Sequence, residues 1–163
     1  MSNLYAPFRY DYVGSFLRPA ELTKARADYE AGAITADQLK AVEDQCITEL
    51  VAKQKAAGYH VITDGEFRRA TWHLDFMWGF DGVGHKKTNT GLPFHGEAAM
   101  IDDTFVTGRI GLSGEHPFVD HFRYVKALED EKTKAKQTIP APAQTLAQFW
   151  MPFASKHTEA FYS

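Results

Sequence analysis

Several stretches carry side chains that can do chemistry. Asp64-Gly65-Glu66 sets two carboxylates just beyond the apolar pair Val61-Ile62. Carboxylates placed there can hold an ammonium group, a metal ion or a proton. They can equally be the acidic residues that a helix N-terminus favours. Val13-Gly14-Ser15 can present bare backbone amides to an anion such as a substrate carboxylate, or form a plain glycine turn. Arg18, Arg68 and Arg69 can bind an acidic tail, or make ordinary ion pairs with Asp64, Glu66 or Asp75. Trp72, Trp78 and Trp150 can stack on a planar ligand or simply pack. Glu115, His116, Asp120 and His121 cluster locally, but metal-binding helices space two histidines four apart and these stand five apart. Pro117 between them fits a helix start better. The sequence shows no phosphate loop, dinucleotide fingerprint or nucleophile elbow.

The elements that must position these residues follow an alternating pattern. Residues 10–16 predict a short strand ending in a glycine turn. Pro19 suits the first turn of a helix that runs to Ala31 and stops at Gly32. Thr35-Ala36-Asp37-Gln38 fits a capping box, and Leu39, Val42, Cys46 and Leu50 recur at helical spacing up to Gly58. Cys46 therefore reads as a small core residue. Residues 59–63 predict a buried strand that delivers the carboxylates. Helix, tight turn and strand in this order indicate an α/β fold. Residues 77–104 lack periodicity and are rich in glycine, as in a functional loop or a small inserted hairpin. Phe105 to Leu112 predicts a further strand and Pro117 a helix with Phe118, Phe122, Val125 and Leu128 on one face. Lys136 to Ile139 predicts a short strand, closed by Pro140-Ala141-Pro142, and residues 143–150 a helix. The strands number about four and are expected to be parallel. The last eleven residues have no evident partner element.

Composition narrows the function classes. The chain has 163 residues, 44% hydrophobic and 24% charged, as expected for one globular domain over 1–163. A net charge of -3 makes no electrostatic case for nucleic acid or an anionic membrane. No apolar run approaches the roughly 20 residues that span a bilayer. Residues 1–9 lack the basic start and apolar core of a signal peptide. The one cysteine forms no internal disulfide, so a cytoplasmic location is expected, and one chain holds no zinc site with two cysteines.

Three ordered stretches resemble the catalytic barrel of cobalamin-independent methionine synthase, most closely its short single-barrel bacterial relatives. They are Val13-Gly14-Ser15-Phe16-Leu17-Arg18-Pro19, the run from Glu43-Asp44 through Gln54, Gly58 and Ile62-Thr63-Asp64-Gly65-Glu66 to Arg69 and Trp72, and Ile139-Pro140-Ala141-Pro142-Ala143-Gln144. The resemblance covers roughly residues 10–150. It implies a TIM barrel and zinc-dependent transfer of a methyl group from a reduced folate to the homocysteine thiol, with zinc keeping the sulfur as thiolate. It assigns the amino-acid carboxylate to Val13, Gly14 and Ser15 and the ammonium group to Glu66. Arg18, Asp64, Arg69 and Trp72 are further candidates for substrate contact.

Three departures qualify what the resemblance implies. Asp64 stands where the methionine synthases have His. Gln148 stands where they stack the folate on Trp, with Trp150 two positions away. The family's His, Cys, Glu and Cys zinc ligands come from later strands, beyond residue 163, so no metal ligand is assigned here. The expectation is then the N-terminal half of a TIM barrel, about four βα units with a loop or hairpin inserted after the second strand. A complete barrel typically needs about 250 residues. Such a half should bind a homocysteine-like thiol amino acid, hold no zinc alone and transfer no methyl group alone. Its open sheet edges call for a homo-oligomer or a missing C-terminal half. The alternatives are a truncated, non-catalytic interaction module, alkyl transfer to a different thiol, or a related porphyrinogen decarboxylase chemistry.

Overall fold

The computed structural model describes residues 12–86, 91–94, 97–100 and 103–150. Residues 1–9, the first two residues of the expected strand at 10–16, and the last eleven residues lie outside that description. The chain divides into two compact units, one of residues 1–70 with 118–138 and one of 71–117 with 139–163.

The first unit is built on two helices, α1 (Ala20–Glu30) and α2 (Ala36–Ala56), and on the strand β1 (Val61–Ile62). The capping box forms as expected: the Gln38 amide donates to Thr35 Oγ1 at 3.2 Å, and the Thr35 amide to Gln38 Oε1 at 2.8 Å. The apolar face of α2 puts Cys46, Ile47, Leu50 and Val51 into one core with Leu22, Ile62, Phe67 and Val125. Val125 comes from α4 (Pro117–Ala127), whose last ten residues belong to this unit. After α4 the chain returns as β6 (Lys134–Ala135), parallel to β1, with Val61 opposite Lys134 and Ile62 opposite Ala135. The amides of Lys134 and Lys136 donate to the carbonyls of His60 and Ile62, each at 2.9 Å.

The second unit holds α3 (Leu74–Met77), the strands β2 (Asp81–Lys86), β3 (Gly91–Phe94), β4 (Glu97–Met100) and β5 (Asp103–Gly111), and α5 (Pro142–Phe149). β3 and β4 pair antiparallel, and so do β2 and β5, with a register shift between Asp81 and Val83. Trp78, just after α3, donates through Nε1 to Thr104 Oγ1 of β5 at 3.0 Å and stacks on His85 of β2 at 4.3 Å.

The architecture is mixed α/β, and it corrects three expectations. The strands are not all parallel: only β1 and β6 are, and the strand expected at Phe105 to Leu112 pairs instead with β2. The glycine-rich stretch before it supplies that antiparallel partner and the β3–β4 hairpin. The strand expected at 136–139 lies two residues earlier, because β1 turns away after Ile62 and side chains occupy Thr138 (below). Residues 12–16 form no strand; Phe16 donates its amide to Gly65 O at 3.1 Å, and Tyr12 O accepts from Lys136 Nζ. Among the described residues the strands make three two-stranded sheets and no closed barrel. No described helix is long and apolar enough to cross a membrane.

Candidate functional site

The site grows from the end of β1. Gln54, buried on α2, grips the next residue with both ends of its amide: Nε2 donates to Thr63 O at 2.8 Å, and the Thr63 amide donates to Oε1 at 3.0 Å. The chain cannot extend as a strand past this grip. The Gly65 amide donates to Thr63 Oγ1 at 3.1 Å and the Glu66 amide to Asp64 Oδ1 at 2.9 Å, two side-chain-capped turns in succession. Gly65 and Glu66 are both left-handed, with φ of 64° and 58°. Glycine adopts this conformation freely, whereas for Glu66 it costs about 1–2 kcal/mol. A side chain at position 65 would also press on Leu50 and Phe16. A non-glycine residue held there by its surroundings is a common mark of a functional position.

The strained turn aims Glu66 at the end of the parallel pair. Its carboxylate is 6% exposed. Oε1 accepts from Thr138 Oγ1 at 2.9 Å and pairs with Arg69 Nη1 at 3.4 Å. Among the described residues no donor reaches Oε2. Arg69 is buried, donates to Thr138 O at 2.6 Å, and lies over the Phe118 ring at 4.5 Å. Thr138 thus meets the turn through both its oxygens. Asp64 is 2% exposed and uses only Oδ1; its Oδ2 is buried without a hydrogen-bond partner. A buried, unsatisfied carboxylate oxygen is costly and calls for a water or a ligand group. His121, on α4, is influenced electrostatically by Arg68, Asp64, Arg69 and Asp120 and packs on Phe118. Burial first, and then Arg68 and Arg69, push its imidazole down to about 4, so it is neutral at pH 7.

Of the residues singled out from sequence, Val13, Gly14, Ser15, Arg18, Asp64, Glu66 and Arg69 all fall in this unit. Val13 is 80% exposed, Gly14 has φ of 94°, and no described group accepts from the amides of residues 13–15. Ser15 O accepts from Tyr12 Oη at 3.0 Å. Among the described residues Arg18 makes no ion pair; its Nη2 donates to the carbonyls of Glu66 at 3.2 Å and Arg69 at 2.7 Å. Arg68 turns the other way, onto Glu43 at 3.1 Å and onto Asp44. Trp72 belongs to the second unit, is 54% exposed and lies beside His73 at 4.2 Å. His73 Nδ1 and Gln148 Nε2 are each buried without a hydrogen-bond partner, and burial lowers the pKa of His73. His116 Nε2 lies 2.9 Å from Phe76 O, and His116 packs on Phe76 and Phe80.

Thr138 is not among the residues that the sequence singles out, and His121 enters there only through its spacing from His116. Thr138 lies 72 residues from Glu66 and meets it only through the β1–β6 register. The usable signal was that strand ends of an α/β sheet share one edge, where sites gather. Cys46 is buried, donates to Glu21 Oε1 at 3.4 Å, and has its thiol pushed up to about 11, first by burial and then by the glutamates around it. Among the described residues no three His, Cys, Asp or Glu side chains gather into a metal-binding group.

No family model matches the chain. Two uncharacterized proteins of Bacillus subtilis, YxjH and YxjG, are each 42% identical to it, over 137 and 136 residues. Those stretches are 84% and 83% of this chain but 36% and 35% of the relatives, so the chain spans about a third of the curated relatives it matches. Among solved structures, a Listeria monocytogenes protein assigned as a vitamin-B12 independent methionine synthase superposes with a TM-score of 0.71 and 38% identity. That match covers 90% of this chain and 40% of the other. The B12-independent methionine synthase of a Shewanella species, solved with selenomethionine, superposes with a TM-score of 0.54 and 16% identity. It covers 70% of this chain and 32% of the other, and the likeness is one of fold alone.

Proposed function

We propose that this chain belongs to the cobalamin-independent methionine synthase family and carries the amino-acid-binding part of a TIM barrel. The reaction of the whole barrel would be methyl transfer to a homocysteine-like thiol. The role of this chain is to bind and orient the amino acid. Glu66 takes its ammonium group on Oε2, and the open amides of Val13, Gly14 and Ser15 take its carboxylate. Asp64 and Arg69 are further candidates for contact. The observation that carries this reading is the buried Glu66 carboxylate, held on a strained turn with one oxygen committed to Thr138 and Arg69 and the other left open.

The metal of that family finds no fitting ligand set among the described residues, because Cys46 is a buried, protonated core thiol and no acidic or imidazole cluster accompanies it. The roles given to this chain are therefore binding and orientation. A second reading concerns the donor. Gln148 is buried at the position where the resemblance expects a folate-stacking indole. That favours a methyl or alkyl donor other than a reduced folate. Among the described residues no further strand pairs with β1 or β6, although the Ala135 amide of β6 donates to Glu129 Oε1 at 2.8 Å; the edge of β1 supports association with a second copy or with a complementary half-barrel.

Calorimetric titration with L-homocysteine tests the reading. Glu66→Gln removes a charge-assisted contact worth about 1.5–3 kcal/mol, a loss of roughly ten- to a hundredfold in affinity. Equal affinity in the variant would refute the assigned role. Size-exclusion chromatography tests the association, and a stable monomer at low micromolar concentration contradicts it.

A further inference from the structure

Arg18 joins two pieces of backbone that the proposed site needs at a fixed separation. It lies three residues beyond the open amides of 13–15. Its Nη2 reaches across to the carbonyls of Glu66 and Arg69, the two ends of one turn, at 3.2 and 2.7 Å. The Arg69 amide closes that same turn onto Glu66 O at 3.1 Å. Two residues before Arg18, the Phe16 amide donates to Gly65 O at 3.1 Å. The left-handed Glu66 is thus tied to the 13–18 segment on both sides of its Cα, at Gly65 O and at its own carbonyl.

We propose that Arg18 is a positioning residue that fixes the distance between the amide loop 13–15 and the Glu66 carboxylate, and so makes the site selective for a ligand bearing an acid and an amine on one carbon. This rests on the reading that the site binds an α-amino acid. Nη2 is committed to two main-chain carbonyls and Nε is buried without a hydrogen-bond partner, so the bonds Arg18 makes act on the turn. A guanidinium suits the task because its donors are planar and pre-oriented. Losing it frees a turn whose φ at Glu66 is intrinsically disfavoured.

The test uses the full chain with Arg18→Met and Arg18→Lys. Amide hydrogen exchange reads the clamp directly. In Arg18→Met the Phe16 and Arg69 amides should exchange at least tenfold faster, while the Thr63 amide, held by Gln54, stays within threefold. Arg18→Lys keeps the charge but not the fork, and should fall between; it also serves if the Met variant does not fold. Calorimetry with three probes reads the selectivity: L-homocysteine, its des-amino analogue and its decarboxylated analogue. Arg18→Met should weaken the amino acid about tenfold and each single-ended analogue less than threefold. If the carboxylate-only analogue weakens as much as the amino acid, Arg18 is a direct ligand and the proposal falls. Unchanged exchange at Phe16 and Arg69 overturns the clamp itself. Wild-type protein that binds none of the three probes overturns the amino-acid reading, and the selectivity with it, while exchange still decides the clamp.

Discussion

Replacing Gly65 with alanine loads the turn in two separable ways. At φ of 64° a Cβ meets its own backbone, which costs about 1–2 kcal/mol. The new Cβ would also stand 2.4 Å from Leu50 Cδ2 and 3.3 Å from Phe16 Cβ. Leu50 is buried among Cys46, Ile47 and Val51, so moving it disturbs packed neighbours, at about 1–3 kcal/mol. The sum is about 2–5 kcal/mol. For a chain of 163 residues that lowers the melting temperature by about 5–15 °C. Urea titration of wild type, Gly65→Ala, Leu50→Ala and the double variant separates the two parts. Leu50→Ala removes the overlap but not the backbone penalty, so the cycle should show a favourable coupling of about 1–3 kcal/mol. A Gly65→Ala protein within 0.5 kcal/mol of wild type, or a cycle without coupling, refutes this account of the turn.

Three further outcomes follow from the same contacts. Gln54→Leu strands the buried amide and carbonyl of Thr63 and should destabilise by about 2–5 kcal/mol in a denaturant titration, whereas a surface glutamine of α2 such as Gln45 should tolerate leucine. Thr138→Val deletes the hydroxyl donor to Glu66 and should cost about 1 kcal/mol of stability and weaken homocysteine binding, with an unchanged β1–β6 pairing checked by amide exchange at Lys136. His121 is held near 4 by burial and by Arg68 and Arg69, below its unfolded value of 6.5, so folding favours the neutral ring. Its contribution is fully present above pH 6.5 and is lost as pH falls through 4. After solvent screening it amounts to roughly 1–2 kcal/mol. Melting temperatures from pH 4 to 8 should show this slope, and His121→Phe should flatten it.

The features legible in the sequence were those set within a few residues. The Thr35–Gln38 capping box and the Leu39, Val42, Cys46, Leu50 spacing predict α2, and α2 forms with that cap and that buried face. Pro117 opens a helix as read, and the helix expected over 143–150 forms as α5, which starts one residue earlier at Pro142. Local signals failed where the partner is remote. The strand expected at Phe105 to Leu112 exists, but its neighbour is β2, and nothing in its own residues states the direction of that neighbour. The strand expected at 136–139 starts two residues early, because its register is set by β1.

The candidate site divides along the same line. The residue types that stand there are legible along the chain: two carboxylates around a glycine after an apolar pair, a glycine loop, and a set of arginines. They are legible because turn chemistry and apolar spacing act over a handful of bonds. Only the tertiary structure decided what each does. It sent Arg68 to Glu43 and Asp44 and Arg18 to two carbonyls, and it set Thr138 against Glu66 from 72 residues away. It also held Glu66 at a left-handed φ that its own side chain disfavours. Those outcomes depend on which backbone groups packing brings within about 3 Å, the reach of a hydrogen bond.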